Sequence, residues 1–223
     1  MLIAGFPAGV FQANCYLLAT GRGASCLVVD PGQDAVGPLQ QQLSRHDLTP
    51  VAVLLTHGHL DHILSAAEIS RAAGIPAYLH DADDHLLDDP MAGLDDTLRQ
   101  ALTGLPLADL RPPEVLTFGA ELELAGLRLF VDHSPGHTPG SVVFRFPAGD
   151  QQDDGRPEVL LTGDTLFAGS VGRTDLPGGS WDELQRSLQS VLLSRPDDAV
   201  ILPGHGPTST IGAERAGNPF LTA

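Results

Sequence analysis

The sequence predicts an α/β chain in which two mixed sheets pack face to face with helices outside. Three observations carry this expectation. Short apolar runs bounded by turn residues recur through all 223 residues, the pattern of buried strands. Segments with helical apolar spacing separate several of these runs, so strands and helices alternate in two similar halves, each with a hairpin-rich opening. Four of the runs deliver a histidine or an aspartate at or just beyond their carboxyl ends: those before His57, His137, Asp164 and His205. That places the chemistry along one edge of the sheets.

Length and composition agree. A chain of this size buries a sizeable core and fits one α/β domain, so residues 1–223 are expected to form a single domain. The net charge of −16 excludes nucleic acid as a partner, because phosphate binding needs basic patches. All twelve basic residues are arginine, and with no lysine there is neither a Schiff-base lysine nor a P-loop lysine. No run approaches the length of a membrane span, and no basic residue precedes Arg22, so no secretory signal is expected. Cys15 and Cys26 sit in apolar runs and read as buried free thiols, which fits a reducing cytoplasm.

In chain order, Leu2-Ile3 opens a strand, Phe11 to Leu18 forms a second and Cys26 to Val29 a third, closed by Asp30-Pro31-Gly32. Asp30 ends that strand either as a turn former or as an outer partner of the site. Val36 to Leu48 has helical spacing. Val51 to Leu55 is a buried strand, and a helix from Leu60 to Ala73 follows it, stopped by Gly74-Ile75-Pro76. Ala77 to His80 is a short strand. Residues 81–113 are acidic and proline-broken (Pro90, Pro106, Pro112, Pro113), an excursion of short helices over the surface in which His80 and His85 have ordinary roles. Val115 to Phe118 is a strand, and a hairpin turns at Ala125-Gly126. A Gly/Pro-rigid loop then carries His137, with His133 and Asp132 structural, and Ser141 to Phe146 is a strand. Pro147 to Pro157 is a polar loop. Val159 to Leu161 leads to Asp164, and Leu166 to Gly179 is a glycine-rich loop with Arg173 and Asp175. Trp181 to Leu193 is an amphipathic helix begun by a Ser180–Glu183 capping box. Val200 to Leu202 is the last core strand, followed by a short helix in the tail.

The densest chemistry is Thr56-His57-Gly58-His59-Leu60-Asp61-His62, with three histidines and an aspartate within six positions where a strand meets a helix. In extended chain His57 and His59 point one way, while Asp61 and His62, in the first helical turn, point elsewhere. Imidazole and carboxylate are ligands of divalent metals. His57, His59 and His137 can therefore form one metal site and Asp61, His62 and His205 a second, with Asp164 bridging both. Such a pair can activate water and clamp a reacting carbonyl, with Asp61 and Asp164 taking part in catalysis as well as binding. Arg173 is the candidate for an anionic substrate group, against an ion pair with Asp175.

Together, His57-Gly58-His59-Leu60-Asp61-His62 with His137, Asp164 and His205 resembles the metallo-β-lactamase superfamily over nearly the whole chain. The resemblance implies a four-layer αββα sandwich, the ligand division above, and two divalent ions, Zn2+ foremost with iron or manganese as alternatives. Asp61, the segment from Asp164 to Asp175 and the Pro203-Gly204-His205-Gly206-Pro207 turn look like the short glyoxalase-II-like hydrolases. Zinc β-lactamases are expected to differ at His59, Asp61 and His62 and often to place Cys at the Asp164 position. No C-terminal helical glutathione-binding domain is expected after His205, which leaves other thiol carriers or a small acyl thioester open. The implied activity is hydrolysis of a small-molecule thioester such as a lactoyl-thiol, by attack of a metal-activated hydroxide on the carbonyl. The alternative is a mononuclear iron persulfide dioxygenase, which Gly172-Arg173-Thr174-Asp175 resembles and which uses only the His57, His137 and Asp164 positions. Substrate, metal identity and oligomeric state are not fixed by the sequence.

Overall fold

The structure is a computed structural model that describes residues 1–102, 104, 107, 109–149 and 155–221. Pro106 and positions 150–154 of the polar loop expected from Pro147 to Pro157 lie outside the described residues.

The first half contains β1 (Leu2–Ala8), β2 (Ala13–Ala19), β3 (Ser25–Val29), α1 (Val36–His46), β4 (Thr49–Leu54), α2 (Leu60–Ile63), α3 (Ala66–Ala73), β5 (Ala77–Tyr78), α4 (Asp96–Ala101) and β6 (Val115–Leu116). Its six strands form one sheet in chain order, antiparallel from β1 to β3 and parallel from β3 to β6. The second half contains β7 (Glu121–Leu124), β8 (Leu127–His133), β9 (Val142–Phe146), β10 (Val159–Gly163), β11 (Leu166–Phe167), β12 (Ser170–Val171), α5 (Trp181–Ser187), β13 (Val200–Pro203), β14 (Ser209–Thr210) and α6 (Ile211–Gly217). Six of these strands form the second mixed sheet, ordered β14-β13-β10-β9-β8-β7, while β11 and β12 pair separately.

Strand periodicity explains the layering. Tyr16, Leu18, Leu27, Val29 and Leu54 face Leu129, Phe144, Phe146 and Leu161 between the sheets. The alternate residues Cys15, Leu17, Val28 and Val53 pack instead against Leu39 of α1 and Ile69 of α3. On the far side, Val143, Leu160 and Ile201 meet Leu184 of α5 and Ile211 of α6. Each central strand is buried on both faces, so it reads as a continuous apolar run rather than as an alternating one. The layers run helix, sheet, sheet, helix, as expected. Cys15 and Cys26 are buried and free.

Several local expectations are corrected. The helix from Leu60 to Ala73 is two helices, broken at Leu64-Ser65. Ser65 donates its backbone N–H to the Pro31 carbonyl at 3.0 Å and its hydroxyl to Gly32 at 2.6 Å, which ties the helix junction to the loop after β3. The Leu166–Gly179 loop contains the β11–β12 hairpin. The helix from Trp181 ends its α-helical part at Ser187 and continues as a π-turn over Leu188–Leu192, closed by Leu193 N–H to Leu188 O. Only half the capping box forms: Ser180 Oγ accepts from Glu183 N–H, but Ser180 N–H donates to Gly136 O. β13 is followed by a further edge strand, β14. Residues 81–113 do make short helices, with 3-10 turns at Asp81–Leu87 and Pro90–Gly93 before α4. They do not simply cover surface, as shown below. At Ala125-Gly126 both φ values are positive, 53° and 68°, which supplies the twist of a two-residue hairpin.

Candidate metal centre

The parallel strands β10 and β13 end side by side, so Asp164 and His205 emerge next to each other. β4 ends at the same edge and passes directly into His57. His137 arrives from the β8–β9 connection, anchored by Val142 N–H to Thr56 O at 2.8 Å. The carboxyl end of β13 is held by the opposite sheet. Asn14 N–H donates to Gly204 O at 2.7 Å, the Asn14 amide donates to Pro203 O and Gly206 O, and Tyr16 OH donates to Pro203 O. The polar residue that interrupts β2 therefore positions the His205 turn. Gly204 packs so closely on Asp164 and His62 that a Cβ there would overlap both.

All seven sequence candidates converge. Candidate ligand atoms of His57, His59 and His137 lie within 4.8 Å of one another, as do those of Asp61, His62 and His205, and those of His57, His62 and Asp164. The closest approaches are His59 Nδ1 to His137 Nε2 at 2.8 Å and His205 Nε2 to Asp61 Oδ2 at 3.1 Å. Asp164 sits between the groups: Oδ1 is 3.4 Å from His62 Nε2, and Oδ2 is 3.6 Å from both His137 Nε2 and His205 Nε2.

Outer partners fix which nitrogen faces inward. Asp30 accepts Thr56 N–H at 2.8 Å and the Thr56 hydroxyl at 2.6 Å. With its proton given to Asp30, Thr56 Oγ1 is left to accept His57 Nδ1–H at 3.0 Å, so His57 Nε2 is a bare lone pair. Asp30 also accepts His62 Nδ1–H at 3.1 Å, and the Arg173 carbonyl accepts His137 Nδ1–H at 2.8 Å. Both Nε2 atoms then face the cluster, as metal-ligating histidines require. Asp30 is thus an outer partner as well as a turn residue.

Asp83 is the residue the sequence reading missed. It is fully buried, although it lies in the acidic 81–113 segment. Its oxygens accept Gly58 N–H at 2.8 Å, Gly140 N–H at 2.7 Å and the Thr138 hydroxyl at 2.7 Å. It therefore clamps the His57–His59 loop to the His137 loop. A Cβ on Gly140 would strike the Asp83 carboxyl group, so glycine is needed for that approach. In sequence, Asp83 is one of seven aspartates between 81 and 96 and carries no distinguishing signal.

The electrostatics divide the cluster. Burial, and then the neighbouring imidazoles, push His57 down; burial and then His137 push His59 down to about 3. Burial also opposes charge on His62, but Asp164, Asp61 and Asp30 together pull it up. Burial opposes charge on Asp164 and Asp61 too, and the imidazoles overcome it, holding both low. The result is two imidazoles held neutral on one side, His57 and His59, and a carboxylate-rich group on the other. His57 Nε2 and Asp164 Oδ1 are buried with no hydrogen-bond partner. Such atoms cost free energy unless something else satisfies them. Bare nitrogen lone pairs and carboxylate oxygens converging on one point are the donor set of divalent transition metals, so the residues fit a metal centre.

Beside the cluster lies a cavity of about 400 Å³. Its walls include Phe11, Leu60, Phe167 and, from the 81–113 segment, Leu94, Leu98 and Leu102. The excursion therefore roofs the site rather than the surface. The hairpin carrying Phe167 is held by α6 and the residue that follows it: Gly169 N–H donates to Glu214, and the Asn218 amide donates to Ser170 O. Arg173 also lines the cavity, but its guanidinium is bidentate to Asp175 at 2.7 and 2.8 Å. His80 stacks on His133 with centroids 4.3 Å apart, His85 is exposed, and Asp132 pairs with Arg145, all outside the cluster.

The family model for the metallo-beta-lactamase superfamily matches residues 8–205. The chain belongs to that superfamily. It is 35% identical to the hydroxyacylglutathione hydrolase GloC of Haemophilus influenzae, over 97% of this chain and 96% of that one. Among solved structures it is similar to BLEG-1, a B3 metallo-beta-lactamase (38% identity, TM-score 0.85, all of both chains). It is also similar to the di-iron-bound form of TTHA1623 (37% identity, TM-score 0.78, 99% of this chain and all of that one). The superfamily makes this chain a metallo-hydrolase by relationship.

Proposed function

We propose that the chain is a binuclear metal-dependent hydrolase of small-molecule thioesters, sharing with GloC the bond that is cut and not the thiol carrier. The observation that carries the reading is Asp164, whose carboxyl group lies between two complete triads, His57/His59/His137 and Asp61/His62/His205. Those seven residues would hold two divalent ions, Zn2+ foremost, with iron supported by the di-iron form of TTHA1623. When bound, such ions polarise a carbonyl oxygen and lower the pKa of water from 15.7 towards about 7.

The chain's own residues supply the rest. Asp30 and the Arg173 carbonyl hold the imidazoles in the ligating tautomer, and Asp83 fixes the spacing of two loops. Asp61 Oδ2 faces His205 at the cavity wall, so Asp61 would act on the reaction as a ligand of the open triad. The leucines from the 81–113 segment keep bulk water from the carbonyl. Arg173 would touch an anionic group only by giving up Asp175. Free, buried thiols support a cytoplasmic setting. Among the described residues no helix is long and apolar enough to cross a membrane.

A second reading is favoured by one comparison: the likeness to BLEG-1 supports β-lactam hydrolysis at the same centre. The persulfide dioxygenase alternative rests on Gly172–Asp175 and needs one iron only. A panel of lactoyl-thiol and acyl-thiol esters, a chromogenic β-lactam and glutathione persulfide with oxygen uptake, run on metal-loaded protein, separates the three. Thioester hydrolysis at least tenfold faster in kcat/KM than the others is the expected result; oxygen uptake without hydrolysis would overturn it.

A further inference from the structure

The cavity wall opposite the histidines is unlike a site for a charged carrier. Leu94, Leu98 and Leu102 recur at four-residue spacing, so the start of α4 and its flanks present one aliphatic face to the cavity, continued by Leu60, Phe11 and Phe167. Leu60 and Leu94 are buried, with Leu98 and Leu102 packed against them in a small apolar cluster outside the sandwich core. Leu98 and Leu102 remain half-open. Among the described residues Arg173 is the one arginine that lines the cavity, and no arginine lies at the positions left undescribed. Its fork is filled by Asp175, and Asp95 lies 3.6 Å away, so the rim presents two carboxyl groups to one cation.

We propose that the cavity takes an uncharged thioester with an aliphatic arm and discriminates against thioesters of acidic peptide thiols such as glutathione. The assignment rests on the thioesterase reading and names the substrate class of the same site. An alkyl chain entering it exchanges water for leucine and phenylalanine side chains, which favours each added methylene. Glutathione would bring two carboxylates to a rim that already holds Asp95 and Asp175, and it would need Arg173 to release its partner.

The direct test is binding of non-hydrolysable S-alkyl thioethers of N-acetylcysteamine, methyl to hexyl, to metal-free and metal-loaded protein by calorimetry. Affinity should rise roughly fourfold per methylene until the cavity is filled. S-hexylglutathione should bind at least about tenfold more weakly than the neutral hexyl thioether. Leu98→Asp should flatten the series while leaving the melting temperature near wild type; Leu102→Ser serves if the first variant is unstable. Asp175→Asn should narrow the glutathione penalty by freeing the guanidinium. A flat series, or equal or tighter binding of the glutathione thioether, overturns the proposal. Turnover of the matching esters separates the two levels. Hydrolysis with no dependence on chain length overturns the aliphatic assignment alone, whereas a binding series with the expected slope and no hydrolysis overturns the thioesterase reading with it.

Discussion

The two triads differ in almost everything except their shared aspartate. His57, His59 and His137 are all buried, carry no carboxylate among themselves, and are held by Asp83 from outside the sandwich. Of Asp61, His62 and His205, the first and last are partly open; the group includes a carboxylate, and it is held by Asp30 and by the Asn14 and Tyr16 contacts from β2. On one side burial keeps His57 and His59 neutral; the other is charge-compensated before any ligand arrives. The contrast gives the two halves of the centre different fates, with Asp164 the candidate ligand between them and Asp30 linking His57, through Thr56, to His62 from outside.

Removing the coupling should have the largest effect. Asp164→Ala takes away the group between both triads, so metal content should fall towards zero. Turnover should drop by well over the roughly 100-fold that loss of an outer partner costs. Elemental analysis and kinetics check this, with circular dichroism expected to be unchanged because the side chain lies at a strand end rather than in the core. His205→Ala should act on one half only. It removes a ligand of the open triad, so the protein should keep about one metal per chain. An unchanged metal count in that variant would mean that His205 holds none.

Asp83→Asn probes the other half without touching a ligand. One acceptor for Gly58, Gly140 or Thr138 is lost, which should cost about 1–3 kcal/mol of stability. Metal affinity at the three-histidine group should weaken about 10–100-fold while the open triad is spared. Competition titration with a chromophoric chelator resolves the two affinities; equal weakening of both would show that Asp83 acts on the fold at large. The smallest effect concerns the cysteines. Burial raises Cys15 and holds Cys26 up at about 12, so both stay protonated and unreactive to a disulfide reagent at pH 8 until the chain unfolds. Because the native thiols titrate above their unfolded value of about 8.5, their contribution to stability is complete below that pH and is lost as pH rises past it.

How much of this was readable from residues follows from where the information sits. His57 to His62 announces itself because ligand-type side chains crowd one strand end, and the layers follow from apolar runs that neither face exposes. Glycine and proline around His137 and His205 marked rigid turns. Asp83 could not be seen, because its role arises from three donors on residues 25 to 57 positions away in sequence. The break at Ser65 has the same origin: its partners Pro31 and Gly32 belong to another strand end. The leucines of 94–102 read as an ordinary helical face because nothing local says that the face looks into the site. For Arg173, the sequence held both outcomes, and the structure shows the pair with Asp175.

The central claim is that one aspartate joins two metal sites. It is tested most directly by counting metal. Metal-free protein titrated with Zn2+ and with Fe2+ under exclusion of oxygen should bind two ions per chain in the wild type and one in His205→Ala. One ion per chain in both proteins, with full turnover, would contradict it.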